Sequence, residues 1–467
     1  VSDRIAAIAG GLLIACAPLL AGEVTVPNTF SAGAAAKASE VNANFSALAA
    51  AVSDNAAHVA DHTTRIATLE TGVVGPDLKP TGNLLLGNSS ATAGNVLKAG
   101  RPFIHNFGVD NTFVGLDAGN LTTVGAANTA LGAGALLANT VGFENTASGA
   151  GALSSNTQGS RNTAVGEGAL ANNLAGRENT AVGRHALYAN NGHVNTAVGV
   201  LALAANVSGN ANTAIGPAAL GANTTGEHNV ALGFRALQAN VSGHENTAVG
   251  ADALRSVTEG TGNTAFGAQA LTFNTAGLNT AVGWWALRAN TTGAANTATG
   301  GRTLSVNTSG SANTANGADA LVNNTTGSEN TAVGVIALRL NTAGNANTAY
   351  GFAALHSSTG SRNIALGHNA GSNLTTGNDN IAIGNTGVAA EAGTIRIGTA
   401  QARTFIAGIR GVTPANANAL NVVVDSAGQL GTLSSSRDVK DHIADMGAAS
   451  ESLLELRPVT FYYKSDQ

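Results

Sequence analysis

The chain has 467 residues, of which 60 are glycine, 4% aromatic and 10% charged. So few large side chains exclude an ordinary compact core, and 44% hydrophobic residues exclude a disordered chain. A net charge of −5 offers no basic patch, so nucleic acid is not an expected partner.

Residues 5–15 are apolar and follow Arg4, and Ala21 precedes Gly22. This pattern predicts a signal peptide over residues 1–21, and hence a secreted chain. The apolar run is too short for an ordinary membrane span. The sole cysteine, Cys16, closes Leu13-Ile14-Ala15-Cys16, which resembles a bacterial lipoprotein box. On that reading Cys16 carries a lipid and ties the chain to a membrane. On the other it is an ordinary residue of the signal, removed with it. Neither leaves a disulfide in the mature chain.

Residues 41–70 predict a helix that oligomerises as a short coiled coil. With Phe45 at heptad position a, the d sites are Val41, Leu48, Asn55, His62 and Leu69. Asn55 and His62 are polar residues on that seam, of the kind that fix register or hold an anion on an axis. His58 and His62 stand four apart, a spacing open to a metal, although a solvated or seam role is the plainer reading. Gly75-Pro76 and Lys79-Pro80 end the helix. Residues 81–110 read as short strands and turns that lead into a repetitive region.

From Asn111 to Asn380 the chain repeats Asn-Thr-Ala-Val-Gly-x-x-Ala-Leu-x-x-Asn-Thr-Thr-Gly-x-x, in steps of 17 that slip three times to 16. We number each unit from its first Asn. A strict period of this length predicts stacked coils over residues 111–400, each too small to stand alone. Thr-Ala-Val alternates its side chains as a strand does, and positions two and four share a face opposite the Ala. The Gly at position five ends the strand. The segment after it is expected to be a tight or helical turn, with a second short strand as the alternative. Asn at one position of successive coils is expected to form a hydrogen-bonded ladder. Coils spaced by about 4.8 Å make a rod of roughly 80 Å.

Positions six and seven vary freely: Glu167, Arg184-His185, Phe234-Arg235, Trp284-Trp285, Val335-Ile336 and Phe352. Such variation marks an outward or inter-subunit face. Trp284 and Trp285 are the candidate ligand residues there, for a glycan or a partner, because exposed aromatics stack on apolar surfaces. Burial between subunits is the other reading of the pair. Glu144, Glu178, Glu245 and Glu329 each precede a repeat's Asn. They are candidates for glycosidase carboxylates, or solvated turn residues. No phosphate loop or dinucleotide-binding fingerprint is visible, so no cofactor and no metal is expected.

The repeat resembles the head repeat of trimeric autotransporter adhesins (YadA-like). Their Ser-Val-Ala-Ile-Gly strand is echoed by Asn380-Ile381-Ala382-Ile383-Gly384. The resemblance implies a parallel β-roll, left-handed and assembled as a homotrimer. This unit is longer than the family's, and the sequence carries no membrane β-barrel pattern at its end, so autotransport is not implied.

Residues 401–433 read as short strands forming a neck. Beyond them, Ser434-Ser435-Ser436-Arg437-Asp438-Val439-Lys440-Asp441-His442 and Leu456-Arg457-Pro458-Val459-Thr460-Phe461 are similar to the start of the endosialidase-type intramolecular chaperone (tail spike peptidase) domain. That family assembles as a trimer, nucleates folding of the β-rod before it, then cuts itself off at a Ser-x-x-x-x-Lys pattern. The resemblance implies a bond cut between Ser434 and Ser435, with Ser435 and Lys440 catalytic. A serine hydroxyl needs a base to take its proton, and burial in a trimer lowers a lysine's pKa so that it can serve. Asp441 and His442 need no role in this. The segment 434–467 matches only the start of that domain, so it reads as truncated.

The sequence therefore predicts a mainly β chain: a trimeric repeat β-solenoid (parallel β-roll) with a short N-terminal coiled coil and a truncated chaperone segment. The expected function is that of a tail-fibre-like structural or adhesive protein of the bacterial surface. At most it is a single-turnover serine autopeptidase. Its partners would be sister chains and a surface glycan or host receptor. The alternative is a polysaccharide-binding or depolymerising spike or fibre of phage type.

Overall fold

A computed structural model describes residues 38–70, 87–409, 420–426, 428–432 and 447. The chain forms two units, residues 1–399 and 400–467. The first begins with helix α1 (Ala38–Glu70). Phe45, Leu48, Val52 and Val59 are exposed on it. Its apolar seam is thus uncovered, which sets it apart from the packed coils of the repeat region.

The rest of this unit is a long parallel β-solenoid of about 17 turns. Its lead-in is a hairpin, β1 (Val96–Lys98) with β2 (Arg101–His105), and β2 pairs antiparallel with the first coil's strand, β3 (Thr112–Val114). From β3 to β19 (Ile381–Ile383) each coil contributes one three-residue strand, and β20 (Ile395–Ile397) adds the last rung. Neighbouring strands are parallel and in register, like on like: Thr247 with Thr264, Ala248 with Ala265, Val249 with Phe266. The central Ala points inward and is buried, while positions two and four face outward, as the pleat demands.

The core of a coil is small: in one, Ala231, Ala236 and Leu237. Stacking makes it continuous from Phe113 to Ala382. Two columns of glycine set how closely coils approach. At position five, Gly233 has φ +133, and a Cβ there would lie 2.6 Å from the Gly250 carbonyl oxygen. At position fifteen φ is not positive, but a Cβ on Gly226 would lie 2.5 Å from the Gly243 oxygen. The first column therefore needs glycine for conformation and space, the second for space alone.

The segment after position five is a turn, and its backbone is neither a helical turn nor a strand. Positions seven and nine both lie in the left-handed region: Arg235 (φ 55) and Leu237 (φ 52), Asp252 (φ 56) and Leu254 (φ 50). A helical turn would keep φ negative and carry the chain onward; these reversals fold it back over the Ala of the strand. A left-handed residue other than glycine costs about 1–2 kcal/mol. Burial of the leucine contributes about 1.5–3 kcal/mol in the other direction, and its amide donates to the next coil (Leu237 N to Ala253 O, 3.0 Å).

Most coils are closed by two asparagines meeting on one carbonyl. Asn229 at position one and Asn240 at position twelve both donate through Nδ2 to the Gly243 oxygen, at 2.8 and 3.1 Å. Each also donates to the matching Asn of the preceding coil: Asn229 to Asn212 Oδ1 (3.1 Å), Asn240 to Asn223 Oδ1 (2.7 Å). Asn229 Oδ1 in turn accepts from the backbone N and Nδ2 of Asn246. Its amide is fully used, which a buried polar group requires.

The three 16-residue coils begin at Asn179, Asn263 and Asn347, five coils apart. In each, the missing residue falls just before the closing carbonyl. Asn179 and Asn190 still meet on Gly192 O, at 3.0 and 2.9 Å. The strand and the position-one column keep their phase through all three slips, and the position-twelve column through the first two.

In the second unit, β21 (Val422–Val424) and β22 (Leu430–Thr432) form an antiparallel pair. Asp425 Oδ1 accepts from the Gln429 amide in the turn between them.

Candidate functional site

Two outer surfaces of the solenoid carry side chains that the fold itself leaves uncovered. The first is the outward face of the sheet. Position four places Val165, Val182, Val198, Ile215, Phe266, Val282, Tyr350, Leu366 and Ile383 in one axial column, all exposed. Phe266 and Tyr350 reach 57% exposure, and Asn316 and Thr299 interrupt the apolar run. Parallel pairing without slip is what aligns them.

The second surface is the reversing turn, which presents positions six, seven, ten and eleven. On the coil from Asn279, Trp284 and Trp285 stack with ring centroids 4.3 Å apart and planes 23° from parallel. Trp284 is the outer ring, 50% exposed. Trp285 sits in the left-handed position seven (φ 62), and its Nε1 is enclosed without an acceptor. The Arg288 guanidinium lies 4.9 Å from the Trp285 ring and 5.3 Å from Phe273, a ring of the preceding coil. Its Nε donates to Gln269 Oε1 at 3.1 Å. The structure thus brings both sequence-identified tryptophans together and adds Arg288, Phe273 and Gln269, which sequence reasoning missed. The signal was phase: Gln269 holds position seven one coil before Trp285.

Ionic side chains at position seven of this turn, and at the last position of the coil, pair mostly along the axis, one coil apart. Arg235 meets Asp252 at 3.3 Å, Arg302 meets Asp319 at 3.1 Å, and Arg362 meets Asp379 at 2.6 Å. Arg161 reaches Glu144 at 3.0 Å and Glu178 at 3.5 Å, and these bonds raise its pKa further. Two of the candidate acids, Glu144 and Glu178, are therefore held by one cation across three coils. A glycosidase pair would instead flank an open bond with one acid free to lose and regain a proton. On α1, His58 lies 3.5 Å from Asp54 one turn earlier. Among the described residues no cluster of three metal-ligating side chains forms, and no helix is long and apolar enough to cross a membrane.

At the start of the solenoid, His105 is buried beside Phe113, with centroids 4.8 Å apart. Its Nε2 hydrogen-bonds the Ala118 carbonyl at 2.6 Å. Burial lowers its pKa below the ordinary 6.5, outweighing the opposite pull of that carbonyl. Its place on β2, against the first coil, makes it part of the end cap. Ser434, Ser435 and Lys440, like Cys16 and the signal segment, lie outside the described residues.

A long parallel β-solenoid with an uncovered apolar column fits a fibre-like structural or adhesive protein. No protein-family model matches the chain. No curated protein matches it either.

Proposed function

We propose that the chain is a structural and adhesive fibre of the bacterial surface that works as a homotrimer. The observation that carries this reading is the exposed position-four column, continuous in register through the solenoid. An apolar column that repeats once per coil is matched by a surface with the same spacing, and sister chains supply it. Around a shared axis like meets like, so Phe266, Asn316 and Tyr350 each face their own copies at their own level. The uncovered seam of α1, with Phe45, Leu48, Val52 and Val59 exposed, supports the same assembly.

Secretion after removal of residues 1–21 belongs to this proposal, as does self-cleavage before Ser435. In that step Lys440 takes the Ser435 hydroxyl proton, and the oxygen attacks the Ser434 carbonyl. The Ser435 amine leaves with a proton, and water hydrolyses the ester that remains. Contact with a surface glycan is assigned to Trp284 and Trp285.

Light scattering combined with intact-mass measurement tests the reading in one experiment. It should report three subunits, each lacking the signal and the residues from 435 onward. A folded lone subunit overturns the assembly. For the cleavage, Ser435→Ala should stay full length on a denaturing gel while the parent shortens, and equal sizes remove that claim.

A further inference from the structure

We propose that the Trp284–Trp285–Arg288 cluster is a binding site for a carboxylate-bearing saccharide, an inference that rests on the adhesive reading above. The apolar half of the site is the exposed face of Trp284, backed at 4.3 Å by Trp285. A ring supported from behind keeps its outer face flat and fixed, the surface that the C–H face of a pyranose covers.

The charged half is Arg288. Along the same turn surface Arg235 and Arg302 have Asp252 and Asp319 as ion-pair partners. Arg288 has no ion-pair partner among the described residues. Its one side-chain hydrogen bond there is through Nε to Gln269. Wedged against Phe273 and Trp285, the guanidinium is held in place by its own stem and two rings. Its terminal nitrogens remain for an acceptor, and their fork suits a carboxylate in bidentate contact. A positioned cation without a counter-charge, beside a backed aromatic face, selects an anionic sugar over a neutral one. The enclosed Trp285 Nε1, which has no acceptor, marks the cluster as costly to the fold.

The test uses the full chain, with tryptophan fluorescence and calorimetry as readouts. The probes are oligogalacturonate and its methyl ester, which share a ring and differ in charge. The parent should bind the acid and discriminate against the ester. Trp284→Ala should weaken binding of both by at least about tenfold. Arg288→Gln should bind acid and ester alike. Absence of binding to the acid, equal affinity for acid and ester in the parent, or binding indifferent to both variants would overturn the site. So would a change of subunit number by light scattering in Trp284→Ala, since the pair would then be a subunit contact. A parent that remains trimeric but binds neither probe sinks this site and leaves the fibre standing.

Discussion

Asn240 and Val257 hold the same position on successive coils, and the mismatch leaves the Asn240 Oδ1 enclosed with no donor. One coil further on, Asn274 donates to Ala276 alone, with no rung toward Val257. The position-twelve column is therefore broken there. It breaks again at Ser358, above the unpartnered Oδ1 of Asn341.

Val257→Asn should mend the first break. Its Nδ2 would reach Asn240 and the Gly260 carbonyl, and its Oδ1 would accept from Asn274. We expect a net gain of about 1 kcal/mol, the satisfied amides outweighing the lost valine. The reverse change within an intact stretch, Asn223→Val, should cost about 3 kcal/mol by stranding its neighbours' polar atoms. Urea midpoints, followed by hydrogen exchange in the flanking coils, decide it. A lower midpoint for Val257→Asn contradicts the account.

The glycine columns make opposite predictions from position seventeen. Gly233→Ala places a Cβ on the next coil's backbone at a φ that only glycine favours, and should cost about 3 kcal/mol or more. Ala312 holds a left-handed φ of 55, at the phase that Gly262 fills with φ +70. Ala312→Gly should therefore be neutral or stabilising, by up to about 1 kcal/mol, the relieved strain exceeding the added chain entropy. Thermal midpoints of the two variants should move in opposite directions or differ sharply.

Acid should loosen the N-terminal cap. Because the folded pKa of His105 lies below the ordinary 6.5, the unfolded cap takes up the proton first as pH falls. Its contribution is whole above the ordinary value and declines from there down through the depressed folded pKa. Protection factors of the amides across residues 101–114, corrected for the slower intrinsic exchange in acid, should fall as the pH drops below the ordinary value of 6.5. His105→Gln, which keeps a donor for the Ala118 carbonyl, should flatten that response.

The solenoid was legible because its period is a property of sequence: identical phrases must occupy identical places in a stack. That the Ala faces away from positions two and four followed from strand alternation, which does not say which face is inward. An asparagine ladder was foreseen, but not that two asparagines meet on one glycine carbonyl. That closure joins residues fourteen apart within a coil, such as Asn229 and Gly243, and alternation says nothing about it. The left-handed leucines were invisible because Leu237 carries none of the residue types that announce positive φ. Tertiary burial overrides local preference there. Trp284 and Trp285 stood out as aromatics, whereas Phe273 and Gln269 meet Arg288 only through the stack, and Arg288 reaches Trp285 through the turn of their own coil. Ser435 and Lys440 rest on resemblance, since their segment lies outside the described residues.

The axial hydrogen bonds imply how such a solenoid bears load. Tension along the stack loads every junction in series, with the same force on each, so strength is set by the weakest link rather than by the average. The junctions at Val257 and Ser358 lack a rung. They are where a stretched molecule should part first, leaving well-knit blocks between them.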